Sequence, residues 1–192
     1  MLLPIPRIYM DLDGVIRDFE AGVERKFNVK FERDDIQDYR LNFNKIKDKT
    51  GLSTSEVWGE LDIDFVSSLP FTPWAKRLLT ALEPYKPIIL TSPSRTNATG
   101  SQNWIRKRLP HYFYEGRYLI GPCKRACANP QSILVDDWSR HTYEFIENGG
   151  HAILFPTWCN ENYQYKDNPL QYFATQFKQI MKKINLDNAE KK

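Results

Sequence analysis

Apolar residues along the chain gather in short runs, and between them lie longer stretches whose apolar positions recur with a helical period. The runs cover residues 8–12, 88–91, 118–120, 133–135 and 152–155, each bounded by charge, proline or glycine. Their length predicts strands, and their lack of strict apolar–polar alternation predicts strands buried on both sides. Helices are predicted near residues 15–27, 72–84, 99–109, 139–148 and 168–184. The last is the plainest. Pro169 suits a first helical position, and Leu170, Phe173, Phe177, Ile180, Met181 and Ile184 form one apolar stripe. Strands alternating with helices predict an α/β fold, a parallel sheet with helices on its faces.

Residues 28–70 interrupt this rhythm. The stretch is polar, with Asp34, Asp35, Asp38, Lys45, Lys47, Asp48 and Lys49, and has few strand-like runs. Ser53 and Glu56 stand at capping-box spacing ahead of Val57 and Trp58, which predicts a short helix from residue 54. About forty residues is too long for an ordinary connection. The expected organisation is therefore a core of residues 1–16 and 71–192, with a small helical cap, residues 17–70, inserted after strand one. Ligands of open α/β sheets bind outside the carboxyl ends of the strands, where such an insert would lie as a lid.

Composition narrows the class. A chain of 192 residues is one domain, or one with an insert, and it can bury a core without disulfides or structural metal. Lys and Arg number 27 against 24 Asp and Glu, so the net charge is 27 − 24 = +3. No block of like charge forms a nucleic-acid arm, so nucleic acid stays open as a partner without being favoured. An aromatic share of 14% argues against disorder. No run approaches the ~18 apolar residues of a membrane span, so no membrane association is expected. The first residues lack the basic region and long apolar stretch of a signal peptide, and the expected location is the cytoplasm. Three cysteines, Cys123, Cys127 and Cys159, make no disulfide framework, and the Cys123–Cys127 spacing lacks a second ligand pair for zinc. A homodimer is one assembly left open.

Chemistry-bearing residues follow four of the predicted strands. Asp11-Leu12-Asp13-Gly14-Val15 follows the first, Thr91-Ser92-Pro93 the second, Lys124 the third, and Asp136-Asp137 the fourth. Parallel strands bring these ends to one side of the sheet, where carboxylates, a hydroxyl and an ammonium converge. Carboxylates packed together repel, and one takes up a proton unless a cation sits among them. Mg²⁺, a hard ion that shares phosphate oxygens with its protein ligands, fits that need. A carboxylate can form an aspartyl-phosphate, and a second one two residues on can protonate the leaving oxygen and later activate water. Taken singly, each feature has a plainer reading. Asp and Gly are common in turns, Thr91 could cap a helix, and Asp-Asp often begins one. An EF-hand loop is excluded, because positions 15 and 22 are Val and Gly. Lys107 also follows the second motif, but Trp104, Ile105 and Leu109 place it on an amphipathic helix facing water, so Lys124 is preferred. Cys123 reads as a small packing residue. His111, His141 and His151 lie at helix or strand edges and are given no catalytic part.

Taken together, the four motifs resemble the haloacid dehalogenase superfamily of phosphohydrolases over residues 5–156. Within it the chain is most similar to the 5′(3′)-deoxyribonucleotidases. That likeness rests on residues 11–22, on Arg25-Lys26-Phe27, on Trp58 and Phe65 ahead of Leu69-Pro70, and on the form Ile133-Leu134-Val135-Asp136-Asp137. The resemblance implies an HAD-like Rossmannoid three-layer sandwich with a small cap. It implies Asp11 as nucleophile and metal ligand, and Asp13 as general acid/base with its carbonyl on the metal. Thr91 would bind the phosphate with Ser92 nearby, and Lys124 would pair with nucleophile and phosphate. Asp136 and Asp137 would hold Mg²⁺, one directly and one through water. Phe19 would help form the nucleotide pocket and Arg95 would lie near the substrate. Arg17 departs from the pattern, standing where a small residue is usual, and places an extra charge by the cleft.

Three readings follow. The first is an Mg²⁺-dependent phosphatase of nucleoside monophosphates, deoxyribonucleoside 5′- or 3′-monophosphates such as dUMP and dTMP. A second keeps the chemistry but acts on nucleic-acid phosphate ends or another small phosphate ester, and steep salt dependence would mark the former. The third is a nucleotide-binding module without turnover. Tyr39, Phe43, Trp58 and Phe65 of the insert could stack on a base, but most are expected to form the insert's own core.

Overall fold

The computed structural model describes residues 5–32, 36–37, 40–41, 43–93 and 97–190. Five strands form one parallel sheet: β1 (Arg7–Met10), β4 (Ile88–Thr91), β5 (Tyr118–Ile120), β6 (Ser132–Asp136) and β7 (His151–Leu154). Their order across the sheet is β5-β4-β1-β6-β7. The chain runs outward from β1 to one edge, then returns to the other side of β1. That reversal opens a crevice at the carboxyl end of β1. Successive strand residues face opposite sides. Ile8, Met10, Ile89, Ile133, Val135 and Ile153 enter the main core, while Tyr9, Leu90 and Leu134 pack with Phe145 on the other face. Both faces of the central strands are therefore apolar, which is why their sequences show no alternation. An α/β architecture with helices on both sides results.

Helices α5 (Ala75–Leu82), α6 (Ala98–Arg108), α7 (Pro110–Tyr114), α8 (Ser139–Glu147) and α9 (Pro169–Glu190) complete this part of the chain. The last is longer than its apolar stripe, which ends with the buried Ile184. The first helix is shorter than expected. Residues 12–18 make a tight turn, so α1 runs Phe19–Phe27, with Asp18 as its N-cap accepting from Ala21 N. Gly14, at φ 74°, takes the left-handed conformation this turn requires.

Beyond α1 the inserted stretch holds α2 (Asn44–Thr50), α3 (Thr54–Glu60) and α4 (Ile63–Ser68). Ser53 and Glu56 form the expected capping box at the start of α3. The stretch is not purely helical, because β2 (Ile36–Gln37) and β3 (Arg40–Leu41) pair as an antiparallel ladder. Strands of two residues are too short to leave a periodic signature in a sequence. The two connections to the sheet lie side by side: Asp18 N donates to Pro70 O at 2.9 Å, and Thr72 N to Ile16 O at 2.9 Å. Helix α4 packs closely on α6, where a side chain at Gly100 would meet Val66. Among the described residues, no helix is long and apolar enough to cross a membrane.

Candidate active site

Strand register sets the site. Met10 pairs with Val135, so Asp11 and Asp136 stand side by side one residue further along. Thr91 ends β4, paired with Ile120 of β5. Past β5, the chain enters a 3₁₀ turn, Lys124–Cys127, that turns Lys124 inward. Its side chain is 1% exposed, and its Nζ lies 2.7 Å from Asp11 Oδ1 and 2.6 Å from Asp136 Oδ2. Burial pulls the Lys124 ammonium down, but the two carboxylates outweigh burial and hold it above its usual range.

The carboxylates divide by environment. Asp136 is fully buried, but Oδ2 accepts from Lys124 and Oδ1 accepts from Trp138 N at 3.0 Å. His141 Nδ1 stands 3.2 Å from Asp136 Oδ2. Burial would raise the Asp136 carboxyl, yet Lys124 and His141 hold it down, at about 2. Burial pushes Asp11 up to about 6 against the pull of Lys124, with Asp136 and Asp13 adding to the rise. Asp137 is raised further, by burial first and then by Asp11 and Asp136. Among the described residues, no hydrogen bond or ion pair reaches its carboxylate. A side chain at Gly14 would collide with Asp137 Oδ2, so the turn after β1 needs glycine for this acid to lie where it does.

Asp11, Asp136 and Asp137 each offer a carboxylate oxygen within 4.8 Å of the others. Three acids face one lysine, and two of the three are pushed toward protonation. A hard divalent cation with oxygen ligands would relieve that repulsion, so the donor set fits Mg²⁺.

A cavity of about 300 Å³ opens over these groups, bordered by Asp11, Asp13, Thr91, Ser92, Lys124 and Asp137. Thr91 is 2% exposed. Ser92 Oγ donates to Gly121 O at 2.7 Å, which ties the loop after β4 to the loop after β5. On the opposite wall, Phe19 stacks on Trp58 with ring centroids 6.3 Å apart at 26°. An adjoining groove of about 840 Å³ is walled by Trp58, Trp74, Trp138 and Trp158 and rimmed by Glu20 and Asp167. Burial, then Glu24 and Asp18, push Glu20 up to about 8.

Most residues singled out in the sequence meet here: Asp11, Asp13, Phe19, Thr91, Ser92, Lys124 and Asp137 line one cavity, with Asp136 directly behind. Arg95 lies outside the described residues. Lys107 is exposed on α6. Cys123 is exposed rather than packed, because it belongs to the turn that sends Lys124 inward. His141, given no part from sequence, lines the cavity and contacts Asp136. Its place five residues beyond Asp136, at the start of α8, was the available signal. Of the insert's aromatics, Phe43 and Phe65 are buried in the cluster that also takes in the sheet, Phe43 bordering the groove as well; Trp58 is 45% exposed and borders the cavity, and Tyr39 lies outside the described residues.

No family model and no curated protein sequence matches the chain. Solved structures do. CbbY from Rhodobacter sphaeroides in complex with phosphate aligns over 82% of this chain and 89% of its own, at 13% identity and a TM-score of 0.50. A variant of that CbbY in complex with xylulose-(1,5)bisphosphate aligns over the same shares at 12% identity and a TM-score of 0.51. A had family enzyme from Bacteroides thetaiotaomicron in complex with magnesium and inorganic phosphate covers 82% of this chain and 97% of its own, at 17% identity and a TM-score of 0.43. At such identities the likeness is one of architecture: the chain shares the α/β fold of the two CbbY structures.

Proposed function

We propose that the chain is an Mg²⁺-dependent phosphomonoesterase of the haloacid dehalogenase type, acting on nucleoside monophosphates through an aspartyl-phosphate. The observation that carries this reading is Asp11, its carboxylate paired to buried Lys124 and open to the cavity beside Asp13 and Thr91. Asp11, Asp137 and the Asp13 carbonyl would hold the metal, with Asp136 behind them. When bound, Mg²⁺ would neutralise charge on the phosphoryl group. Lys124 and Thr91 would orient that group. An oxygen of Asp11 attacks phosphorus, and the departing ester oxygen takes a proton from Asp13. Water then gives its proton to Asp13 and attacks the same phosphorus, releasing phosphate and restoring the Asp11 carboxylate.

Support for a nucleotide comes from the Phe19–Trp58 stack and the tryptophan-walled groove beside the cavity, a fit for a planar base. Asp18 and Glu24 along that groove oppose a polyanion, while Asp167 there is paired with Lys166, so nucleic-acid ends fit less well. The test is phosphate release from ribo- and deoxyribonucleoside monophosphates, dUMP and dTMP among them, with Mg²⁺ and with chelator. Release that needs Mg²⁺ supports the reading. Release from p-nitrophenyl phosphate alone removes the nucleotide, and no release from any ester removes the phosphatase.

Asp137→Asn separates the metal from the fold. Without metal it is expected to stabilise the protein by about 1 kcal/mol at pH 7.5, because it removes a buried like charge. The sign follows from the raised Asp137 carboxyl: the folded state holds its proton longer than the unfolded chain, so wild-type stability falls as pH rises and the gain from Asn grows. The variant should also lose the Mg²⁺-induced rise in Tm expected of wild type. Thermal unfolding at pH 5 and 7.5, with and without Mg²⁺, measures both.

A further inference from the structure

We infer that Arg17 is a positioning residue that holds the Asp13 carboxylate for proton transfer. The inference rests on the phosphatase reading above, in which Asp13 carries the proton.

Arg17 closes the turn after β1. Its backbone N donates to Leu12 O at 2.7 Å, and its carbonyl accepts from Gly14 N at 2.9 Å. This folds the side chain back over Asp13, four residues earlier. Nε reaches Asp13 Oδ1 and Nη2 reaches Asp13 Oδ2, both at 2.7 Å. That is the bidentate fork, which fixes the plane of a carboxylate as well as its position. The guanidinium is itself fixed. Nη2 also donates to Ser101 Oγ of α6 at 3.1 Å, and Cζ lies 5.7 Å from the centre of the Trp104 ring. Its backbone bridges to Phe71, on the connection returning from the insert.

Burial makes the arrangement costly unless the pair is well made. The Arg17 side chain is 1% exposed, and its Nη1 is a buried donor with no partner among the described residues. Asp13 is 37% exposed, so the pair is open only on the side of the acid, toward the cavity. A charge this deeply placed is weak support for stability alone.

The chemistry of the fork defines its role. Guanidinium has five donors, no acceptor and no proton to lose at ordinary pH. It cannot relay a proton, and it cannot accept one from a carboxylic acid. Both bonds to Asp13 therefore require two acceptor oxygens, which the ionised carboxylate supplies. When Asp13 carries the proton, its O–H has to point away from the fork, which offers it no acceptor, and so toward the cavity. Arg17 thus presents a fixed base to the water step and leaves the acid form one direction in which to point. Lysine, a single point charge on a flexible stem, cannot reproduce that geometry.

The test compares two esters. Departure of the alkoxide from dUMP needs a proton, whereas p-nitrophenolate leaves without one. Arg17→Lys is expected to lower kcat for dUMP on the order of 10- to 100-fold, with KM little changed. First-turnover release of p-nitrophenolate should stay within about threefold of wild type. In an Asp13→Asn background the same substitution should cost nothing further, since the residue it acts through is already disabled. Equal losses on both esters, a change confined to KM, or a full additional loss over Asp13→Asn would overturn the role. Should Arg17→Lys fail to fold, Ser101→Ala removes one tether of the guanidinium and should give the same ester-dependent pattern in weaker form; its absence counts against the role equally. If wild type cleaves p-nitrophenyl phosphate but not dUMP, glycerol phosphate replaces dUMP as the alkyl ester. If wild type cleaves no ester, the phosphatase reading falls and the Arg17 role with it. Activity in wild type with equal losses in the variant removes the Arg17 role alone.

Discussion

Asp11→Asn is expected to reduce Mg²⁺-dependent phosphate release on the order of 10⁴-fold or more, because an amide oxygen cannot serve as the nucleophile that forms the acyl-phosphate. The change is nearly isosteric, and Asn can still accept from Lys124 Nζ, now 2.7 Å from Asp11 Oδ1. The fold should therefore survive, with thermal unfolding of the metal-free variant close to wild type. Residual activity above one per cent, measured on dTMP with the variant free of wild-type contamination, would remove Asp11 from the nucleophile's role.

Lys124→Met should give the largest loss of stability. Methionine matches the length of the lysine stem and supplies no charge, so Asp11 and Asp136 are left buried without their shared cation. Removing one partner of a buried pair costs about 3–5 kcal/mol, and here two carboxylates lose it at once. The deficit should narrow at low pH. An unpaired buried carboxyl holds its proton to higher pH than the unfolded chain does, so it stops costing stability once it is protonated. Urea unfolding at pH 7.5 and pH 5 would show the difference, and a variant as stable as wild type at pH 7.5 would contradict the packing described for Lys124.

Much of the sheet could be read from the chain because its physics is local. Runs such as Ile88-Ile89-Leu90 are apolar on both faces, and few structures other than a covered parallel strand accommodate them. The acids, Thr91 and Lys124 were legible for the same reason, each coming within a few residues of a strand end. What escaped depends on contacts remote in sequence or on backbone geometry. The start of α1 is set by a left-handed Gly14 and by Asp18 as cap, where amphipathic spacing alone pointed four residues earlier. His141 enters the site only because the first turn of α8 lies against β6. The sequence marks Arg17 as an extra charge by the cleft, but its partner, its burial and its tether to Ser101 are facts of three dimensions. The β2–β3 ladder was invisible for lack of length.

The connections at residues 16–18 and 70–72 are paired by two backbone hydrogen bonds, and Arg17 lies on one of them, bridged to Phe71 on the other. Because the side chain of that same residue grips Asp13, the root of the inserted stretch and the aim of the acid share a single joint.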